Sequence, residues 1–175
     1  DITSFLKLKR GYAVEINIRQ ILLQDLDRVS EIEKVCFPEK EAAARESLKR
    51  RIITFPQSFF AAEKDGEIIG FINGCITNAT SIDDKMYEDS SLHIPNGDYQ
   101  AIFGLDVMPD YRNQGVAAQL MNYMIRMAKK AGLKGIILTC KKRLIHYYSR
   151  FGYVNKGISK SVHGGATWYD MILKF

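Results

Sequence analysis

The 175-residue sequence predicts a single mixed α/β domain with the element order β α α β β β α β α β β. Three observations predict it. Residues 115–131 carry apolar side chains at helical spacing, and nearly all-apolar strand-length runs at 99–108 and 135–140 flank that helix. An Asp-Gly pair separates two further strand-like runs, at 58–63 and 68–77, as in an antiparallel hairpin.

The elements follow in order. Glu15 to Ile21 alternates apolar and polar residues like a strand, and from Asp25 onward Leu26, Val29, Ile32, Val35 and Cys36 share one helical face until Pro38 stops the helix. Glu39 to Thr54, rich in Ala, Glu, Lys and Arg, reads as a second helix ending before Phe55 and Pro56. Two strands, Ser58 to Glu63 and Ile68 to Thr77, then form the hairpin across Lys64-Asp65-Gly66-Glu67. Asn78 to Asp98 lacks a sustained period and reads as a long loop bordering a substrate site. Tyr99 to Met108 is a central strand buried on both faces, and Pro109-Asp110-Tyr111 ends it. An amphipathic helix over 115–131 stops at Gly132, followed by a buried strand, Gly135 to Cys140. Leu144 to Phe151 forms a short helix ended by Gly152, and Tyr153 to Ile158 and Thr167 to Leu173 are closing strands around His163-Gly164-Gly165.

Composition excludes several classes. Hydrophobic residues at 46% against 26% charged fit a globular domain and argue against disorder. No apolar run reaches the roughly 20 residues of a membrane span. The stretch 1–14 is expected to be an N-terminal extension, and it lacks the uninterrupted apolar segment of a signal peptide, so a soluble, cytoplasmic protein is expected. Cys36, Cys75 and Cys140 are widely spaced and show no zinc-ligand pattern, so no metal is expected. The net charge of +5 fits nucleic acid, an acidic membrane surface or a phosphate-bearing cofactor and does not choose among them, although no helix-turn-helix, zinc finger or basic-aromatic platform supports nucleic-acid binding.

The chemistry concentrates after the central strand, in Arg112-Asn113-Gln114-Gly115-Val116-Ala117, which opens the long helix. The first turn of a helix presents unpaired N–H groups and the positive end of its dipole, a site for a phosphate anion. Gly115 and Ala117 are small enough for a pyrophosphate to approach the backbone, and Arg112 adds positive charge. These residues match Arg/Gln-x-x-Gly-x-Gly/Ala, the acyl-CoA signature of the Gcn5-related N-acetyltransferases, and the sequence resembles that GNAT superfamily in element order from Glu15 to Leu173.

The resemblance implies a splayed central sheet, with the fourth strand bending away from the fifth. It implies that the backbone of Leu105 and Val107 binds the pantetheine arm of acetyl-CoA. The amides of Gln114 to Ala117 would then hold the pyrophosphate, with Lys129, Lys130 and Lys134 available for the 3'-phosphate. A second segment, Leu144 to Tyr153, places Tyr148 four residues before Gly152, where the family has a tyrosine general acid. A phenol of pKa about 10 suits protonation of a departing thiolate.

Among subfamilies the sequence is most similar to the arylalkylamine (serotonin-type) N-acetyltransferases, through Gly70-Phe71-Ile72-Asn73-Gly74, Leu92-His93-Ile94-Pro95-Asn96-Gly97 and Phe151-Gly152-Tyr153. The implied function is direct acetyl transfer from acetyl-CoA to a small primary amine, in a monomer or homodimer. A non-catalytic acyl-CoA-binding regulatory or scaffold module is the alternative. The subfamily's two proton-relay histidines are replaced by Ala101 and Phe103. That leaves Asp98, Asp106, Glu41, His93 and His163 as candidates to accept the amine's proton. Phe37, Pro38, Phe55 and Phe59 are candidates for the acceptor pocket. Cys36 and Cys140 lack an evident basic partner in the sequence, so no acyl-cysteine is expected.

Overall fold

The computed structural model describes residues 14–175, so the expected N-terminal extension lies outside the described residues apart from Val14. The fold is the predicted mixed α/β arrangement, but its strands form two sheets. The first has the order β1-β2-β3-β6, all antiparallel: β1 (Asn17–Gln20), β2 (Phe59–Lys64), β3 (Glu67–Asn73) and β6 (Gly104–Val107). The second has the order β4-β5-β7-β9-β8: β4 (Ile76–Thr77), β5 (Tyr99–Ile102), β7 (Gly135–Cys140), β9 (Tyr169–Lys174) and β8 (Val154–Ile158).

Alternation along β2 explains how the first sheet is covered on both faces. Phe60 and Ala62 join the cluster formed with Leu120, Met121 and Met124 of α4 (Val116–Lys130). Phe59 and Ala61 turn the other way, onto Val29 and Ile32 of α1 (Leu26–Cys36) and Leu48 and Ile52 of α2 (Arg45–Thr54). Each fully buried Leu, Ile or Phe in these layers contributes about 1.5–3 kcal/mol of transfer free energy. The hairpin turn forms as its Asp-Gly pair predicts, with Asp65 at φ 51 and Gly66 at φ 79.

Two expected strands are each divided. The run 68–77 breaks at Gly74, where an added Cβ would lie 1.8 Å from the Ala101 carbonyl oxygen, so only glycine lets the chain cross to the second sheet there. The run 99–108 breaks at Phe103. Its first half pairs in parallel with β7 and its second half with β3. Apolar composition persists across both breaks because each half is buried, which hides the change of sheet from periodicity. The result is a gap between β6 and the distal half of β7.

The helix expected over 39–54 begins only at Arg45. Residues 39–44 are held as turns instead: Glu33 Oε2 accepts the Ala43 N–H at 2.9 Å, and the Glu41 carboxylate pairs with Lys141 Nζ at 2.7 Å. These tertiary contacts override a high local helix propensity. The expected loop 78–98 contains a short helix, α3 (Lys85–Glu88), and a 3-10 turn, Ser90–Leu92. The expected helix 144–151 is α5 (Ile145–Ser149), entered through a 3-10 turn at Lys142–Leu144. Among the described residues no helix is long and apolar enough to cross a membrane.

Candidate active site

The gap between β6 and β7 forms a cleft of about 220 Å³. Its geometry follows from register. Met108 N–H bonds the Ile69 carbonyl, so in the antiparallel ladder Gly104, Asp106 and Met108 direct their peptide groups to β3. Leu105 and Val107 therefore direct theirs away from β3, towards the gap. Leu105 lines the cleft, and the Val107 carbonyl accepts from Arg112 Nε at 3.0 Å and from Cys36 Sγ at 3.3 Å.

Beyond β6 a 3-10 turn, Pro109–Tyr111, leads into the segment that opens α4. Asn113 (φ 59) and Gly115 (φ 81) are left-handed, and this double reversal turns the chain sharply into the helix. The first intrahelical bond is Gln119 N–H to Gly115 O at 3.1 Å, so the N–H groups of Val116, Ala117 and Ala118 precede it and point out of the helix end. Gln114 Nε2 donates to the Asp110 carbonyl at 2.9 Å and closes the loop on itself. Arg112 is exposed beside the loop, but its Nε is engaged by Val107 rather than free. Lys134 pairs with Asp98 at 3.1 Å and Lys129 lies over the Phe175 ring, so two of the three expected phosphate lysines have protein partners.

Tyr148 projects from α5 into the cleft with its ring against Tyr147 and Tyr153, at centroid separations of 5.2 and 5.9 Å. Burial, aided by Tyr147, Cys140 and Asp106, pushes its phenol well above the usual tyrosine range. Its proton is retained at neutral pH. Cys140, across the cleft on β7, is pushed up to about 11 by burial, and Cys36 is raised for the same reason. A guanidinium does lie beside Cys36, that of Arg112, contrary to the expectation from sequence. Desolvation outweighs it, so neither thiol is an activated nucleophile.

Beneath the Phe103 kink lies a buried polar cluster that sequence reasoning missed except for Asp106. Arg51 (5% exposed) donates to Asn73 Oδ1 at 3.1 Å and to the Tyr87 carbonyl at 2.7 Å, with its guanidinium 4.9 Å from the centre of the Phe103 ring. Glu33 Oε1 and both oxygens of the fully buried Asp106 meet no donor among the described residues. Burial and the neighbouring Glu33 raise Asp106 well above the usual carboxyl range, against the pull of Arg51. The ionised form of Asp106 is therefore disfavoured beside Glu33.

The contribution of Asp106 to stability must then fall with rising pH. A carboxyl whose folded pKa is raised stabilises fully below its unfolded value near 3.8, and that contribution is lost as pH rises towards the folded value. Asp106→Asn should remove this loss. Its unfolding free energy relative to wild type, measured by urea titration, should increase steadily from pH 4 to pH 7; a constant difference would refute the raised pKa.

The remaining candidates separate clearly. Phe37 and Pro38 line the cleft, whereas Phe55 and Phe59 are core, 1% and 0% exposed. Phe55 packs on His93 and Phe103, and Phe59 on Phe71. Asp98 is absent from the cleft and bound to Lys134. His93 Nδ1 accepts the Ile76 N–H at 3.0 Å, and burial lowers its pKa, so it lacks a free lone pair there. Glu41 and His163 reach the cleft, where they meet Tyr87, Thr139, Lys141 and Trp168. The last four were not singled out from sequence, since they come from three separate segments and carry no motif. Among the described residues no cluster of three or more His, Cys, Asp or Glu is placed to hold a metal ion.

Comparisons with known proteins agree with this architecture. YhcX, a probable hydrolase of Bacillus subtilis (strain 168), is 30% identical over 156 residues, 85% of this chain but only 29% of that protein's length. Serotonin N-acetyltransferase of Mesocricetus auratus is 21% identical over 174 residues, 97% of this chain and 83% of that one. GphF, a GNAT-like decarboxylase solved in complex with isobutyryl-CoA, has the same fold: TM-score 0.77 at 22% identity over 90% of this chain and 98% of that one. The sequence profile of the acetyltransferase (GNAT) family matches residues 26–153, from α1 to the residue before β8, and on that match the chain belongs to the GNAT family of acetyltransferases.

Proposed function

We propose that this domain is an N-acetyltransferase that moves an acetyl group from acetyl-CoA to a small primary amine by direct attack. The observation that carries the reading is the cleft itself. It combines outward-facing peptide groups of Leu105 and Val107, a left-handed glycine opening α4, and a protonated phenol, Tyr148, between β6 and β7. Acyl-CoA in a structural relative of the same fold supports the choice of cosubstrate, and the likeness to serotonin N-acetyltransferase over 97% of this chain supports a small amine.

Acetyl-CoA would supply an acyl group activated as a thioester. The peptide groups of Leu105 and the N–H of Val107 would hold its pantetheine amides as an added strand would be held, in the gap β7 leaves open, the Val107 carbonyl being engaged by Arg112 and Cys36. The amides of Asn113, Gln114, Gly115, Val116 and Ala117 face its pyrophosphate, and the helix dipole favours the negative charge. Arg112 orders the loop through the Val107 carbonyl and keeps a positive charge at its rim. Tyr148 gives its O–H proton to the sulfur as the carbon–sulfur bond breaks and the electron pair moves to sulfur. Phe37, Pro38 and Phe103 give the acceptor an apolar approach.

Direct attack predicts intersecting initial-rate lines and no acetylated protein by mass spectrometry after incubation with acetyl-CoA alone; parallel lines or an acetyl-cysteine would contradict it. Gly115→Val should weaken acetyl-CoA binding at least tenfold by calorimetry. The left-handed conformation costs a branched residue roughly 1–2 kcal/mol, and the side chain obstructs the pyrophosphate. Unchanged affinity in the folded variant would remove the loop from the cosubstrate site.

A further inference from the structure

The acceptor reaches the cleft as an ammonium, and its nitrogen must lose a proton before its lone pair can attack. Two carboxylates line the cleft, and neither is free to accept that proton. Glu33 is 5% exposed with Oε1 buried against Asp106, and Glu41 is paired with Lys141. His163 differs from both. It sits in the 3-10 turn His163–Gly165 between β8 and β9 and lines the cleft together with Phe37 and Pro38.

Its tautomer is fixed by one contact. Nε2 lies 2.9 Å from the Glu41 carbonyl oxygen, which can only accept, so Nε2 carries the hydrogen and Nδ1 the lone pair. Among the described residues Nδ1 meets no donor. The ring and its turn are both held in place. It stacks on Tyr87 at 4.7 Å and 25°, and the Trp168 indole donates to the His163 carbonyl at 2.8 Å. Gly164, at φ 62, packs on Lys40 and Glu41 so closely that an added Cβ would lie 2.5 Å from Glu41 Cγ. The two segments are thereby locked together, and Asp84 further secures the turn by accepting the Val162 N–H at 3.0 Å. A rigid, oriented imidazole at the border of the cleft, with Nε2 engaged and Nδ1 without a donor among the described residues, is built as a proton acceptor.

We infer that His163 is the catalytic base of this site, and the inference rests on the acetyltransferase reading above. An N–H bond of the ammonium breaks, a new N–H bond forms at Nδ1, and the electron pair left on the amine nitrogen attacks the thioester carbonyl carbon. Of the two protons the nitrogen loses in becoming an amide, one goes to Nδ1 and onward to solvent, and the other balances the proton Tyr148 gives to sulfur. His163 thus replaces the relay that Ala101 and Phe103 cannot provide.

The test compares two acceptors at pH 7 with His163→Ala and His163→Gln. One is a phenethylamine-type alkylamine, charged at this pH; the other is an aryl hydrazide, whose attacking nitrogen is already neutral. The base role predicts that kcat/KM for the alkylamine falls about 100-fold or more. It predicts a loss under about tenfold for the hydrazide, an unchanged acetyl-CoA Kd, and partial recovery of His163→Ala by added imidazole. An equal loss on both acceptors without imidazole rescue would show that His163 only shapes the pocket and would overturn the inference. If His163→Ala does not fold, the acceptor comparison in His163→Gln decides. Absence of wild-type turnover on any amine, by contrast, would overturn the acetyltransferase reading and this inference with it.

Discussion

Tyr148→Phe should lower kcat by about 10²- to 10⁴-fold, the range for loss of a positioned general acid, while the acetyl-CoA Kd stays within twofold of wild type. The phenol ring packs with Tyr147, Tyr153 and the large core cluster, and phenylalanine preserves that packing. Its hydroxyl has no protein partner among the described residues, so no buried group is orphaned and stability should hold. The raised phenol pKa adds a second signature. Wild-type activity should show no alkaline decline from Tyr148 below the ordinary tyrosine value of 10, because burial keeps the acid protonated beyond it. A parallel loss of rate and acetyl-CoA affinity in the phenylalanine variant would place Tyr148 in binding alone.

Arg51→Met should be the most destabilising single change at the buried cluster, by roughly 3–5 kcal/mol. Arg51 is the counter-charge for Glu33 and bridges α2 to Asn73 of β3 and to the Tyr87 carbonyl of α3. Methionine fills the volume but leaves a carboxylate, an amide oxygen and a carbonyl unsatisfied. Adding Glu33→Gln to Arg51→Met should recover a substantial part of the loss, measured as a coupling in a double-mutant cycle by urea unfolding. A loss below about 1 kcal/mol, or strict additivity of the two changes, would mean that the pair is not electrostatically coupled. The variant should also disturb the cleft, since the guanidinium supports the Phe103 ring at the point where β5 and β6 part.

The layout of these elements explains what sequence could and could not reveal. The Asp65-Gly66 turn, the α4 face and the buried β7 run declare themselves because each depends on residues close in sequence. The loop at Arg112 to Ala117 and the position of Tyr148 are legible for the same reason, as short motifs at fixed spacing. The division of 99–108 at Phe103 is not, because it is forced by the cluster of Arg51, Asn73 and Asp106 packed under it from distant segments. The unwound start of α2 likewise depends on Glu33 and Lys141, 10 and 100 residues away from their partners Ala43 and Glu41. The acceptor side of the cleft was the least legible, since Tyr87, Thr139, His163 and Trp168 meet only through the fold. Tyr87 and Thr139 are joined there by a hydroxyl-to-hydroxyl hydrogen bond of 2.9 Å.

Acetyl transfer to a small amine is read out by acetyl-CoA-dependent thiol release. Wild-type protein is assayed across arylalkylamines, polyamines, aminoglycosides and lysine peptides, with Tyr148→Phe in parallel and products identified by mass. N-acetylated product is expected from the small amines, with arylalkylamines turned over fastest and the rate collapsing in the variant. Tight acetyl-CoA binding without thiol release on any of these acceptors would contradict it and would leave the domain an acyl-CoA-binding module.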